Sequence, residues 1–262
     1  MIGETVFCTS VAGEEFGRVR SWGNGPDREG EYIATSPTLN CDIPQTLFEP
    51  VLVRNAMARG AVFRWKTEYV SHTQDAEGVS TVVRDRMTGH EYTVRSKYLI
   101  GADGGRSQIA ADLQLPMEGQ MGVGGSMNIV CEMDLSEWCE NRQSSLYWVL
   151  QPGANTGGIG LGLVRMVRPW NEWLVTWGYD INQPPPEMDD QKAEDFVRNL
   201  IGAPDLDIKV TDWSLWTVND VYARENMVGR VLCVGDAVHR HPPGNGLGSN
   251  TSIQDSYNLA WK

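Results

Sequence analysis

Hydrophobic and polar positions along this chain alternate between two textures. Short apolar, β-branched runs predict strands, and segments with apolar residues at i, i+3/i+4 and i+7 predict helices. Arg230–Val234 is such a run and predicts a buried strand. Gly235-Asp236 ends it, Pro242-Pro243 forms a rigid corner without N–H groups, and Gly244, Gly246 and Gly248 permit close backbone approach. A helix is expected from about Ser249, with Ile253, Tyr257 and Ala260/Trp261 on one face. Upstream, Leu47, Val51, Leu52 and Ala56 mark another helix. Thr46 to Glu49 reads as its capping box, Gly60 as its stop, and Pro50 is awkward near its start. Ala61–Val70, Val79–Asp85 and Glu91–Arg95 predict a meander turning at Thr88-Gly89. Lys97–Ile100 predicts a strand running into Asp103-Gly104-Gly105-Arg106-Ser107 and a short helix.

From Leu115 the pattern changes. A Gly-rich segment leads into strands at Ser126–Met133, Ser145–Leu150, Gly158–Val164 and Glu172–Tyr179. They suggest an antiparallel sheet carrying Trp148, Trp173 and Trp177. Asp189–Leu200 is a helix with Ala193, Phe196, Val197 and Leu200 on one face and Gly202 as its stop. Asp207–Val218 predicts a strand leading back to the first part. Gly23-Asn24-Gly25 has no strand before it and reads as a loop.

Two strand ends therefore carry a carboxylate followed by glycines and a helix: Asp103-Gly104 and Gly235-Asp236. Open α/β sheets bind ligands at the C-terminal edges of their strands. Helix N-termini offer unpaired N–H groups and about half a positive charge. This chemistry suits a polar, partly anionic ring system. The plainer alternatives are a glycine-rich turn used for packing and, at Asp103, a carboxylate that only caps its helix.

The string GRVLCVGDAVHRHPPGNGLGSNTSIQDSYNLAWK resembles the second flavin motif of the single-component FAD-dependent aromatic hydroxylases, and Asp103 to Ser107 resembles their DG motif. The resemblance implies that Asp236 binds the ribityl chain. It implies that Pro242, Pro243 and Gly244 flank the isoalloxazine, that Gly248, Ser249 and Asn250 meet its N1–C2=O edge, and that Gly246 and Leu247 also belong to the cofactor site. Ser249 departs from the Met common in relatives, but backbone contacts are expected there. In that family the DG motif, here Asp103 and Gly104, serves FAD and the pyridine nucleotide, with Arg106 a candidate for the latter's phosphate. Gln45 of Cys41-Asp42-Ile43-Pro44-Gln45 would approach the FAD pyrophosphate. Ser10 to Glu15 and the Trp-rich sheet point to the phenol hydroxylase branch. The implied reaction consumes NAD(P)H and O₂ and ortho-hydroxylates a phenol, a chlorophenol by the nearest resemblance, through a C4a-hydroperoxide of the flavin. No catalytic base is identified, and a homo-oligomer is expected only by resemblance.

The expected fold class is α/β (α+β): a Rossmann-like FAD/NAD(P)-binding domain (residues 1–113 and 203–262) interrupted by an antiparallel-sheet substrate domain (114–202). The strand–GxGxxG–helix unit that holds the FAD pyrophosphate in such folds is missing, and both ends look cut. The expectation is an internal fragment that alone binds FAD weakly or not at all. A reductase- or halogenase-like flavoprotein would carry the same two motifs. A non-catalytic binding module is the reading if Met1 is the true start.

Composition narrows the picture further. A formal charge of −12 opposes binding to nucleic acid or to an anionic membrane surface. No apolar run approaches the ~20 residues of a membrane span, and no signal peptide is read at the start. Five scattered cysteines without C-x-x-C spacing fit a reduced, cytoplasmic protein. His239 and His241 form H-x-H, but the other histidines, His72 and His90, lie in hairpin territory, so no metal site is expected.

Overall fold

The computed structural model describes residues 3–21, 23, 25–38, 41–151 and 161–262. In chain order the elements are β1 (Glu4–Cys8), β2 (Glu15–Arg20), α1 (Glu29–Thr35), α2 (Gln45–Ala58), β3 (Thr67–Gln74), β4 (Val79–Asp85), β5 (Glu91–Ser96), β6 (Leu99–Gly101), α3 (Gln108–Asp112) and β7 (Met117–Glu132). They continue with α4 (Ser136–Cys139), β8 (Ser144–Leu150), β9 (Leu161–Arg168), β10 (Glu172–Tyr179), α5 (Asp190–Ile201), β11 (Lys209–Ala223), β12 (Met227–Val228), β13 (Val231–Cys233), β14 (His239–Arg240) and α6 (Leu247–Trp261). The chain packs as two compact units, Met1–Val53 with Gly124–Thr217, and Arg54–Val123 with Val218–Lys262. This is a division by packing; the functional boundaries at 113 and 203 remain a proposal.

In the first unit the strands lie in the order β11-β7-β10-β9-β8-β1-β2. Neighbours from β7 to β8 are antiparallel, and β1 runs parallel to β8. Alternation decides which face is buried. Val6, Ile129, Tyr147, Val149, Trp173 and Val175 point into one core, closed by Val197, Leu200 and Ile201 of α5. Tyr147 and Trp173 meet edge to face at 6.1 Å. Their polar ends are satisfied, Tyr147 Oη donating to the Arg142 carbonyl and Trp173 Nε1 to the Trp170 carbonyl, each at 2.8 Å. The opposite sheet face carries half-buried Leu146, Trp148, Leu163 and Leu174. α5 lies one residue later than expected because Asp189 stands outside it as its cap, accepting from the Lys192 N–H at 2.8 Å; Gly202 stops the helix as expected, at φ 76°, a left-handed conformation that suits glycine.

In the second unit β3, β4 and β5 form the expected antiparallel meander. Its turns are built by Asp75 and Asp85, each accepting two backbone N–H groups. β12, β13 and β6 make a separate three-stranded sheet in which β6 and β13 are parallel. Val79, Ile109, Val231, Cys233, Ala237 and Val238 pack behind it.

Several expectations are corrected. α2 begins at Gln45 and not after Thr46, because the Leu47 and Phe48 N–H groups already bond to the Pro44 carbonyl; Thr46 is thus no cap. The helix also continues through Pro50. The strand expected over 61–70 starts only at Thr67, after a turn in which Lys66 has φ 56°. The Gly-rich segment before Ser126 belongs to β7 itself. For the strand expected over 158–164, residues 158–160 lie outside the described residues, as does Asn24. The apolar faces read for α2 and α6 are real patterns, yet neither helix buries a residue. Ile253, Tyr257 and Trp261 are 52%, 77% and 68% exposed. Periodicity marks a face suited to burial without naming what covers it.

Candidate functional site

β6 and β13 pair in parallel with Gly101 opposite Cys233, and the Val234 N–H continues the ladder to the Gly101 carbonyl at 2.9 Å. Parallel neighbours finish at the same sheet edge. The two turns, about 130 residues apart in sequence, therefore emerge side by side. Gly101 admits this packing: a Cβ there would lie 2.8 Å from Cys233 Sγ and 3.0 Å from Ile109 Cγ2.

After β13, Gly235–Ala237 form a 3-10 turn that leaves Asp236 exposed. Its carboxylate makes no hydrogen bond or ion pair with a described residue. Pro242 and Pro243 are exposed, Pro243 opening a second short turn. Gly246 is left-handed at φ 62° and precedes α6, whose first N–H groups receive no side-chain cap. Around Gly244, Gly246 and Gly248 an added Cβ would meet nothing within 4 Å. Leu247, Ser249 and Asn250 are exposed. Asn250 Nδ2 donates to the Gly246 carbonyl, leaving the helix N-terminal N–H groups clear.

The Asp103 turn is used differently. Asp103 Oδ1 accepts from Ser107 Oγ at 2.6 Å, and Oδ2 from the Gln108 and Ile109 N–H groups at 2.9 and 3.3 Å. Ser107 Oγ in turn accepts from the Ala110 N–H. Both carboxylate oxygens thus hold the start of α3. Gly104, at φ 80° with open space around it, is the part of this turn a ligand can approach. Gln45 lies in the first unit at the start of α2, exposed, its amide donating to Glu49. Arg106 is exposed.

Asp255 escaped the sequence reading. Its Oδ2 accepts from the Gly235 N–H at 2.9 Å and lies 2.7 Å from His239 Nε2. The polar pair Ser252 and Asp255, three apart on α6, was the available signal. His239 stacks on His241 at 5.1 Å, and His239 Nδ1, Arg240 Nε and His241 Nε2 are buried without hydrogen-bond partners among the described residues. The Arg240 stem packs on the Gly105 backbone. Burial, reinforced by the Asp103 carboxylate, pushes the Cys233 thiol up to about 11, so it is no nucleophile near neutral pH.

Among the described residues no group of three or more His, Cys, Asp or Glu side chains is arranged to hold a metal ion, and no helix is long and apolar enough to cross a membrane. A cavity of about 570 Å³ lies in the first unit, lined by Asp134, Glu137, Trp138, Asp205 and Asp207 among others, and shares no residue with the turns described above.

The arrangement can hold a flat, polar ring system. It offers a free carboxylate, a donor-free proline wall and a helix N-terminus within one glycine-lined stretch. A family model described as an FAD binding domain matches residues 4–262. The chain is 56% identical over its whole length to a 2,4-dichlorophenol 6-monooxygenase of Cupriavidus pinatubonensis, covering 44% of that protein. It is 54% identical to a phenol 2-monooxygenase of a Pseudomonas species, covering 41%. Among solved structures, the flavin-dependent monooxygenase PieE, in complex with FAD and substrate, superposes with a TM-score of 0.92 at 40% identity, over 99% of this chain and 45% of that one. Aklavinone-11 hydroxylase shares the fold, with a TM-score of 0.85 at 24% identity.

Proposed function

The chain belongs to the FAD-binding domain family, and from that premise we propose that it forms the flavin- and substrate-binding part of an NAD(P)H-consuming monooxygenase that hydroxylates a phenol ortho to its hydroxyl group. It spans about two fifths of the length of the curated relatives it matches. Positions 2 and 6, which the names of those relatives specify, are both ortho to a phenol oxygen. A chlorophenol is the substrate class the 56% identity favours.

The observation that carries this reading is the parallel pairing of Gly101 with Cys233, which brings both glycine turns to one sheet edge. FAD fits what is there. Asp236 is exposed and has no partner among the described residues, so it can accept from a ribityl hydroxyl. Pro242, Pro243 and Gly244 offer a flat wall to the ring. The N–H groups of Leu247, Gly248 and Ser249 in the first turn of α6, flanked by Gly246 and Asn250, can meet a ring edge on which negative charge develops, where a helix N-terminus contributes about 0.3–1 kcal/mol. Gly104 can approach the cofactor through its backbone, Asp103 fixing that turn, and Gln45 is assigned to the pyrophosphate. FAD, when bound, supplies the electron transfer from NAD(P)H and the activation of O₂. The chain's own task is to orient the ring, exclude water and place the phenol. Leu146, Trp148, Leu163 and Leu174 offer an apolar wall for an aromatic substrate, in keeping with a substrate-binding role for residues 114–202.

The test is made on the complete gene product. Saturable FAD binding is expected, together with phenol-dependent NAD(P)H oxidation yielding a catechol. Asp236→Ala is expected to weaken FAD binding roughly tenfold, the worth of one hydrogen bond to a charged acceptor. Failure to bind FAD, or NAD(P)H oxidation without hydroxylated product across a panel of phenols, would overturn the proposal.

A further inference from the structure

α6 meets the Gly235–Ala237 turn through Ser252 and Asp255. Gly235 is buried at φ 64°, and a Cβ there would lie 3.1 Å from Ser252 Oγ, so the helix sits closely against the turn's backbone. One oxygen, Asp255 Oδ2, serves two partners: the Gly235 N–H at 2.9 Å and His239 Nε2 at 2.7 Å. A carboxylate only accepts, so Nε2 carries the proton in this contact. The His239 side chain is 13% exposed, and its other nitrogen has no hydrogen-bond partner among the described residues. Removing the carboxylate would leave one buried N–H and one imidazole N–H without an acceptor. Such groups are costly to leave unpaired, so the turn would shift to reach water.

We propose that Asp255 is a positioning residue for the flavin. It touches none of the atoms assigned to cofactor contact. It fixes, through Gly235 and His239, where Asp236 stands relative to the N-terminus of α6. Those two features are assigned to different parts of FAD, the ribityl chain and the ring edge. Their separation must match the cofactor closely, since displacements of about 1 Å are enough to impair catalysis. The inference rests on the FAD reading above.

The experiment compares wild type, Asp255→Ala, Asp255→Asn and the control Ser256→Ala as complete proteins. It measures FAD Kd, the bound-flavin absorbance and fluorescence spectrum, and hydroxylated product per NAD(P)H, all well below each variant's melting temperature. Asp255→Ala is expected to raise Kd on the order of tenfold. Its flavin spectrum should move toward that of free FAD, and its product yield should fall. Asp255→Asn can place its amide oxygen at this one position, a neutral and weaker acceptor for both the Gly235 N–H and His239. It should give about a threefold rise in Kd with a spectral shift in the same direction. Ser256→Ala, whose hydroxyl only bonds back to the Ser252 carbonyl, should match wild type. Variants that melt earlier yet bind FAD with wild-type Kd and spectrum would make Asp255 merely structural and overturn the inference. Should Asp255→Ala not fold, Asp255→Asn decides on the same readouts. Wild type failing to bind FAD would instead overturn the functional reading and this inference with it.

Discussion

Gly101→Ala adds one methyl group at the point where β6, β13 and α3 meet. The new Cβ would stand 2.8 Å from Cys233 Sγ, 3.0 Å from Ile109 Cγ2 and 3.1 Å from Ile109 Cβ. All three distances are well inside van der Waals contact. Neither neighbour can swing into solvent, since Cys233 is fully buried and Ile109 is 5% exposed. Overpacking of this kind costs about 1–3 kcal/mol, from which replacing a strand glycine by alanine returns roughly 0.5–1 kcal/mol. A net loss of about 1.5 kcal/mol is expected, tenfold in the folding equilibrium. It corresponds to a melting temperature lower by about 3–6 °C. Urea unfolding followed by far-UV circular dichroism measures it. Cys233→Ala removes the sulfur at the nearest contact, so the double variant should be more stable than the two single losses added together by about 1 kcal/mol. A Gly101→Ala variant as stable as wild type, or strict additivity in the cycle, would refute the close packing on which the meeting of the two turns depends.

Two further expectations concern titration and reactivity. Tyr69 Oη donates to Asp112 Oδ2 at 2.6 Å and lies 2.6 Å from His72 Nδ1, joining α3 to the meander. The Tyr69 hydrogen bond, aided by Gln108 and His72 against some desolvation, holds the Asp112 carboxyl below its ordinary 3.8. A depressed carboxyl contributes stability above its unfolded value and loses it as pH falls through the lower folded one. Tyr69→Phe should therefore cost about 1 kcal/mol near neutral pH, with the gap to wild type closing below pH ~4 in urea titrations; a gap constant with pH would refute the link. Burial pushes Cys8, Cys139 and Cys233 up to about 11 and Cys131 to about 12, whereas Cys41 is exposed. A thiol reagent at mildly alkaline pH should label Cys41 quickly and the other four only on unfolding. Rapid native labelling of any of the four, read by peptide mass, would contradict their burial.

What the sequence determined by itself was local. The strand bounds of β4 and β10, the apolar face and the Gly202 stop of α5, and the two glycine turns each rest on residues a few positions apart. Alternation, capping and turn chemistry act over that range, so they can be read without a fold. The ordered run from Gly235 to Asn250 was recognisable for the same reason. Tertiary structure decided everything that joins distant segments. It set the parallel register of Gly101 against Cys233, the parallel pairing of β1 with β8, and the contact of His239 with Asp255 across a turn and half a helix. It also left the apolar stripes of α2 and α6 without a buried residue. A side-chain pattern states what surroundings a residue favours. Which neighbour supplies them depends on strand pairing over more than a hundred residues, and no spacing along the chain encodes that.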